Sequence, residues 1–397
     1  MLSPTLPWPP HMGSRIRILH ILKELSSAHR VTLVAPAAEE TALAQSWRSL
    51  CSELHTVPAG PTKTLAAVRT LVSRRPYRAV KFCTSPYRRL VARLLQAKSF
   101  DLIWVNYMEL MDCLPSQIRP RPAVVLDQPN DEREMWLSFS RKGNWAFRVF
   151  ARQNLRKICR LENRVCNRLD AVIAVSQAES ERLRRRLPET CLVWTFPNGV
   201  DAEYFHSPHR PVDDQACEIL FCGSLDIAMN TDAVLYFAAQ IFPHIRRSIP
   251  AVTFRIVGRN PPRRIRRLGN RRGIVVTGTV SDVRPYYDRA AVAVSPFRMG
   301  AGTKLKILEA MAMGVPLVST SVGVQGVRIS DGEHMFIEDQ PQRFAQRVKD
   351  LLQDGRLRRD MASRAREWVV QEYSWPRVLA GLRTILARVP EGGEGSL

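Results

Sequence analysis

The run SPFRMGAGTKLKILEAMAMGVP, residues 295–316, settles how the surrounding chain must fold. Apolar β-formers lead up to Ser295, small and glycine residues follow from Gly300 to Gly302, and Thr303 is placed to N-cap a helix that stops before Gly314 and Pro316. This strand-loop-helix unit belongs to an α/β chain with parallel sheets. Unpaired amides at such a helix start favour an anion, and diphosphate suits the glycine-rich approach. Lys306 and Glu309 are three apart and share a helix face. An ammonium there can lie towards phosphate while the carboxylate meets ribose hydroxyls one turn deeper; an ordinary solvated ion pair is the competing reading.

Outward from this unit, short β-rich runs alternate with helical stretches. They fall at 31–35, 102–105, 123–126, 171–175 and 192–196, then at 218–221, 253–257, 274–277, 292–295 and 317–319. Two sets of strands imply two sheets. Pro197, Asn198, Gly199 and Asp201, with the polar stretch 207–215, mark the border between them. The expected domains are therefore 1–202, 203–366 and a C-terminal helical segment 367–397 that returns to the first domain and ends in a frayed tail rich in Gly and Glu. A Pro-rich loop, Pro4 to Pro10, leads through Gly13 into a helix with almost nothing before it, so the first strand looks missing and the true start is expected upstream.

The 397 residues carry 59 Lys and Arg against 37 Asp and Glu, a net charge of +22, and 45% apolar residues, which excludes disorder as the main state. Only nine of the basic residues are Lys, and Arg favours planar oxyanions. The partner should be anionic: phosphate, an acidic lipid surface or nucleic acid. No apolar stretch reaches the length of a membrane span and no leader pattern opens the chain, so an intracellular location is expected, with the inner face of the cytoplasmic membrane open as a docking surface. The eight Cys are scattered without zinc spacing and are expected to be reduced. Two basic stretches, 145–169 with Arg at helical intervals and 69–93 with Tyr77, Phe82 and Tyr87, are candidate faces for an anionic leaflet or solvated surfaces.

In order along the chain stand Leu6-Pro7-Trp8-Pro9-Pro10 with Gly13, Val175-Ser176, Pro197-Asn198-Gly199-Val200-Asp201, Phe221-Cys222-Gly223-Ser224, Ile256-Val257-Gly258-Arg259, Val276-Thr277-Gly278-Thr279-Val280, the Gly300 to Pro316 stretch and Ser374-Trp375. In that order and spacing the chain resembles the retaining glycosyltransferases of the GT-B fold, the large group called family 4, and within it the sugar transferases of bacterial exopolysaccharide clusters. The resemblance implies two Rossmann-like doubly wound domains facing across a cleft, with a C-terminal helix crossing back to the first. It implies a nucleotide-diphosphate sugar held by the second domain, with the base near Gly278, Thr279 and Val280 and the ribose on Glu309. The acceptor, a glycan or lipid-diphosphate-linked hydroxyl, would lie on the first domain near Gly13, Asp127 and Asn130, with Asp127 a catalytic candidate.

Two departures from that pattern stand out. The family's first motif Glu falls at Ala301, so sugar contacts pass to the backbone of Gly300, Ala301, Gly302 and Thr303. The loop Gly223-Ser224 lacks the usual cations, leaving Lys306, then Lys304, with Arg259 and Arg298 in reserve. No D-x-D pair of the kind that holds a metal is found, since Asp213-Asp214 are adjacent in a polar linker, so no metal and no cofactor are expected. A sugar-nucleotide epimerase on the same fold, an inactive scaffold and a nucleic-acid-binding protein are the rivals. The last lacks any RNP, zinc-finger or P-loop signature.

Overall fold

The computed structural model describes residues 1–10, 12–37, 50–141, 145–206 and 217–389. The polar stretch 207–215, Asp213-Asp214 and the Gly/Glu-rich tail lie outside the described residues. The chain divides into two compact units, one of Met1–Pro197 with the described residues from Leu379 onward, the other Asn198–Val378.

In the first unit, strands β1 (Thr32–Pro36) and β2 (Glu53–Val57) pair in parallel, and β3 (Leu102–Asn106), β4 (Ala123–Gln128), β5 (Ala171–Ala174) and β6 (Leu192–Thr195) form a parallel four-stranded sheet in that order. The strand expected to be missing is present as a stub. Leu2 bridges Val34 on one side and Val105 on the other, through Leu2 N to Trp104 O at 2.8 Å, Asn106 N to Leu2 O at 3.0 Å and Ser3 N to Val34 O at 2.9 Å. Three residues suffice to pair the facing strand edges locally, and so short a run carries no hydropathy signal. Around the sheet pack α1 (Gly13–Ala28), α2 (Lys63–Val72), α3 (Tyr77–Phe82), α4 (Ser85–Ala97), α5 (Glu132–Arg141), α6 (Trp145–Val165) and α7 (Gln177–Arg184).

Two sequence expectations change in this unit. Tyr87, counted on a basic docking surface, is fully buried, its hydroxyl donating to Val34 O at 2.8 Å and accepting from Ser3 N at 3.0 Å. An aromatic ring with a hydroxyl reaches the core when backbone groups there can pair with it. Cys83 and Cys113, expected as thiols, are joined in a disulfide with Cα atoms 5.8 Å apart. They are thirty residues apart in sequence, so only the packing of α3 against the turn after β3 brings them together.

The second unit holds a six-stranded parallel sheet in the order β12 (Phe336–Ile337), β11 (Leu317–Ser319), β10 (Val292–Ser295), β7 (Glu218–Cys222), β8 (Thr253–Val257), β9 (Ile274–Gly278). Both faces are covered, which is why its strands read as continuous apolar runs. Along β7, Ile219 and Phe221 enter one core cluster and Leu220 enters the other. The chain leaves β7 for β8 on one side and returns to β10 on the other. That reversal makes the carboxyl ends of β7 and β10 the switch point, where ligands of doubly wound sheets bind.

Helices α8 (Ala228–Tyr236), α9 (Leu305–Ala312), α10 (Pro341–Gln353) and α11 (Gly355–Tyr373) pack in the unit, with shorter helices at Phe242–Ser248, Arg263–Arg266 and Arg284–Arg289, the last carrying Tyr287. Within it, Val200 bridges Ser374, and the side chain of Trp375 lies where a Cβ on Gly199 would fall, 2.6 Å away. Residues 367–378 therefore group with the second unit, and of the expected C-terminal segment only the described part from Leu379 groups with the first. α12 (Trp375–Leu386) joins the first unit only from Leu379, where Arg383 pairs with Glu24.

Candidate functional site

At the switch point of the second unit, α9 presents Lys306 and Glu309 behind the loop that follows β7. The Lys306 ammonium lies 4.7 Å from the centre of the Phe221 ring and 4.8 Å from that of Phe297, and it donates to Asn230 Oδ1 at 3.0 Å. Two aromatic faces and one amide oxygen hold a cation without neutralising it. Burial lowers its pKa to about 8, against the pull of the neighbouring Cys222 and Glu309. Glu309 accepts from the Tyr287 hydroxyl at 3.4 Å, and burial raises its pKa in spite of Lys306. Among the described residues neither makes an ion pair, so the solvated i,i+3 pair is not what this helix face contains.

Gly223 is required by this arrangement. A Cβ built on it would sit 2.4 Å from Lys306 Nζ and 3.3 Å from Asn230 Nδ2. Gly258 is equally constrained, its Cβ position lying 1.9 Å from the Gly223 carbonyl oxygen. The loops after β7 and β8 are thus pressed together, and Arg259 ties them, donating from Nε to Ser224 Oγ at 3.1 Å while its carbonyl accepts from Leu225 N at 3.0 Å. Gly278, at φ 76°, turns the chain after β9 into half-buried Val280 and exposed Thr279.

The loop before α9 differs from expectation. Thr303 does not cap the helix: α9 starts at Leu305 with Lys304 as N-cap and no side-chain cap bond, and Thr303 Oγ1 instead donates to Gly326 O at 3.3 Å. Lys304, the second cation expected at phosphate, is buried and donates to Ala301 O at 3.2 Å and Gly302 O at 2.8 Å. It holds the loop's shape, with Gly300 and Gly302 at φ 117° and 74°. Ala301, standing where the resemblance expects a carboxylate, is buried. Arg298 is committed to Asp232 at 2.6 Å and stacks on Tyr236, away from a phosphate role. The structure therefore gathers Gly223, Ser224, Arg259, Lys306 and Glu309, and adds three residues that the sequence did not single out: Asn230, Tyr287 and Cys222. The burial-raised thiol of Cys222, pushed up to about 12, lies beside Tyr287 and Lys306.

At the carboxyl end of β4 in the first unit, Asp127 is not available to a ligand. Arg17 grips it from Nη2 at 2.7 Å and Nε at 3.1 Å; both side chains are about 1% exposed. Arg17 also donates to Pro197 O at 3.1 Å and stacks on Phe196. A carboxylate closed by a buried guanidinium positions a strand end, and Asp127 is reassigned to that role from catalysis and acceptor binding. Asn130 is half-buried beyond it, and Gly13 is exposed as the first residue of α1.

Nearby, sequence reasoning missed a second polar cluster. Glu132 takes a hydrogen bond from Arg78 and another from Trp136 Nε1 at 3.2 Å, and burial pushes its pKa up to about 8. Glu109 is buried with neither carboxylate oxygen hydrogen-bonded among the described residues. Burial raises it, against the pull of Arg78. Its only sequence signal was a Glu inside the otherwise apolar run after β3.

Two family descriptions match the chain: Glycosyltransferase Family 4 over residues 13–204 and Glycosyl transferases group 1 over 216–354. An uncharacterised 44.6 kDa protein in the cps region of Klebsiella pneumoniae is 20% identical over 96% of this chain and 98% of its own. A GDP-mannose-dependent alpha-(1-6)-phosphatidylinositol monomannoside mannosyltransferase of Mycolicibacterium smegmatis is 25% identical over 61% of this chain and 67% of its own. Among solved structures, sucrose-phosphate synthase of Thermosynechococcus elongatus superposes with a TM-score of 0.70 at 17% identity, covering 98% of this chain and 97% of that one. HepE of Anabaena, in complex with UDP and glucose, superposes with a TM-score of 0.65 at 16% identity, covering 98% of each chain. Both likenesses bear on fold, and both have the architecture of two Rossmann-like domains expected from the sequence.

Proposed function

Because the chain belongs to the family 4 glycosyltransferases, we propose that it moves a sugar from a nucleotide-diphosphate sugar to a hydroxyl of a glycan or lipid-linked acceptor. The transfer retains the anomeric configuration and serves surface polysaccharide or glycolipid assembly at the inner face of the cytoplasmic membrane. One observation carries the donor half of this reading: a buried ammonium and a buried carboxylate on one face of α9, each held by a neutral partner, at the switch point of a doubly wound sheet. The cps-region setting of the Klebsiella relative supports the polysaccharide context, and the UDP and glucose in the HepE structure support a nucleotide-sugar donor.

Lys306 faces the diphosphate and stabilises the negative charge that grows as the sugar's anomeric C–O bond breaks. Glu309 receives the ribose hydroxyls. The acceptor oxygen bonds to the anomeric carbon from the face the diphosphate leaves, and its proton passes to the departing phosphate oxygen, so no carboxylate nucleophile and no metal is needed. The base lies by Gly278, Thr279 and Val280, and the backbone from Gly300 to Thr303 contacts the sugar.

The experiment is a thermal-shift screen against UDP-, GDP-, ADP- and dTDP-sugars, followed by transfer assays in EDTA with the sugar that raises the midpoint. A ligand bound only by the native state, at free concentration L, stabilises it by RT ln(1 + L/Kd), so the midpoint climbs with the logarithm of concentration over Kd. Stabilisation by one nucleotide class and transfer surviving EDTA are expected. No shift by any of them contradicts the donor site, and loss of transfer in EDTA contradicts the metal-free step.

A further inference from the structure

Six of the ten large apolar side chains exposed among the described residues lie on only two helices of the first unit: Leu65, Val68, Leu71 and Val72 on α2, Trp145 and Val149 on α6. Val72 is 90% exposed and Trp145 78%. The orientation of α2 is the reverse of a helix that serves a core. Its inward face is Ala66 and Thr70, tied to α6 by polar contacts, Lys157 Nζ to Thr70 O and Gln153 Nε2 to Leu71 O at 2.9 Å. Its apolar residues at i, i+3 and i+7 (Leu65, Val68, Val72) point outward.

On α6 the buried residues Ala151, Asn154, Ile158, Leu161 and Val165 define one stripe. At 100° per residue, Trp145, Val149, Arg152 and Arg156 fall on the opposite side. The two helices touch where Thr70 and Leu71 meet Lys157 and Gln153, which sets the end of α2 that carries Leu71 and Val72 beside α6. A cluster of this kind on a water-facing surface signals an interaction site.

Charge decides what covers it. Arg148, Arg152 and Arg156 are exposed and make no ion pair among the described residues, α2 contains no acidic residue, and the single acid of α6, Glu162, is buried. Apolar side chains with an aromatic at the tip, ringed by Arg and without acids, match the boundary between acyl chains and anionic headgroups. We propose that the outward face of α2 and the first half of α6 docks on an anionic lipid bilayer, with Trp145 and Val72 entering the interface and Arg148, Arg152 and Arg156 meeting lipid phosphates. This rests on the membrane-side placement proposed above and names the surface that achieves it.

The test is flotation of the full chain with vesicles of phosphatidylcholine, alone or with roughly a third phosphatidylglycerol. Flotation is expected only with the anionic vesicles, weakening as salt shortens the Debye length from about 10 Å towards 3 Å. Val72→Ser with Trp145→Ser, and separately Arg148→Gln with Arg152→Gln and Arg156→Gln, should each lower partitioning at least about tenfold with an unchanged melting midpoint. Neutralising Arg263, Arg264 and Arg266, exposed in the second unit, should leave it unchanged.

Equal loss in that control would reduce the effect to overall charge and overturn the proposal. Absence of flotation by the wild type overturns it too, as does a dimer in sedimentation velocity that the Val72/Trp145 variant dissolves without any vesicle binding. Transfer to a water-soluble acceptor, measured on the same proteins, separates the two readings: flotation without transfer refutes the enzyme, and transfer without flotation refutes the docking face.

Discussion

Each unit places an oppositely charged pair at the carboxyl ends of its strands, and the two pairs are built in opposite ways. In the first, Arg17 and Asp127 close on each other through two guanidinium nitrogens, with Pro197 O taking a third. In the second, Lys306 and Glu309 look to neutral partners, Asn230 and Tyr287. A closed pair has spent its hydrogen-bonding capacity on the fold. An open pair keeps charge that only a ligand of complementary charge and hydroxyl pattern can use, and it carries the cost of burial until one arrives.

That contrast predicts opposite consequences of removing the cation. Arg17→Ala strands a buried carboxylate and should lower stability by roughly 3–5 kcal/mol, read as a fall in the midpoint of urea unfolding; a loss confined to activity would place Arg17 in a ligand site instead. Lys306→Ala should lower kcat by about ten- to a thousandfold and leave the melting temperature unchanged or raised, because a lysine whose pKa is depressed to about 8 disfavours the native state while it is charged. Steady-state kinetics beside calorimetry would break the comparison if Lys306→Ala unfolded the protein and kept the rate.

The same group sets a smaller effect with pH. The free enzyme's Lys306 loses its proton near pH 8 while an exposed lysine keeps its own past 10. As pH rises through about 8 the cation needed by the diphosphate is lost, so kcat/KM should fall by about tenfold per unit above it. The native state meanwhile gains stability between that pH and the unfolded value, since the unfolded chain then binds more protons. A profile that stays flat to pH 10 would remove Lys306 from the phosphate.

The sequence displayed the second unit more fully than the first for a physical reason. Parallel strands buried on both faces read as apolar runs, and β7 to β11 stood out, as did Lys306 and Glu309, whose positions follow from one strand-loop-helix unit, and Gly223 directly after β7. Asn230 and Tyr287 come from separate helices that only the packed sheet carries to α9, so spacing could not reveal them. Thr303 matched a capping preference that Lys304 displaced by turning onto the loop carbonyls. The stub at Leu2 and the two-residue β12 are too short for periodicity, and the pairing that closes Asp127 at the end of β4 was invisible to spacing because its partner Arg17 is 110 residues away.

The proposed donor site seats a nucleoside diphosphate against α9 between Lys306 and Glu309. Calorimetric titration of the nucleotide picked out by the thermal screen tests it most directly, comparing wild type with Glu309→Ala and Lys306→Ala. Affinity at least about tenfold weaker in each variant, with folding intact, is expected; wild-type affinity in both would remove Lys306 and Glu309 from the nucleotide.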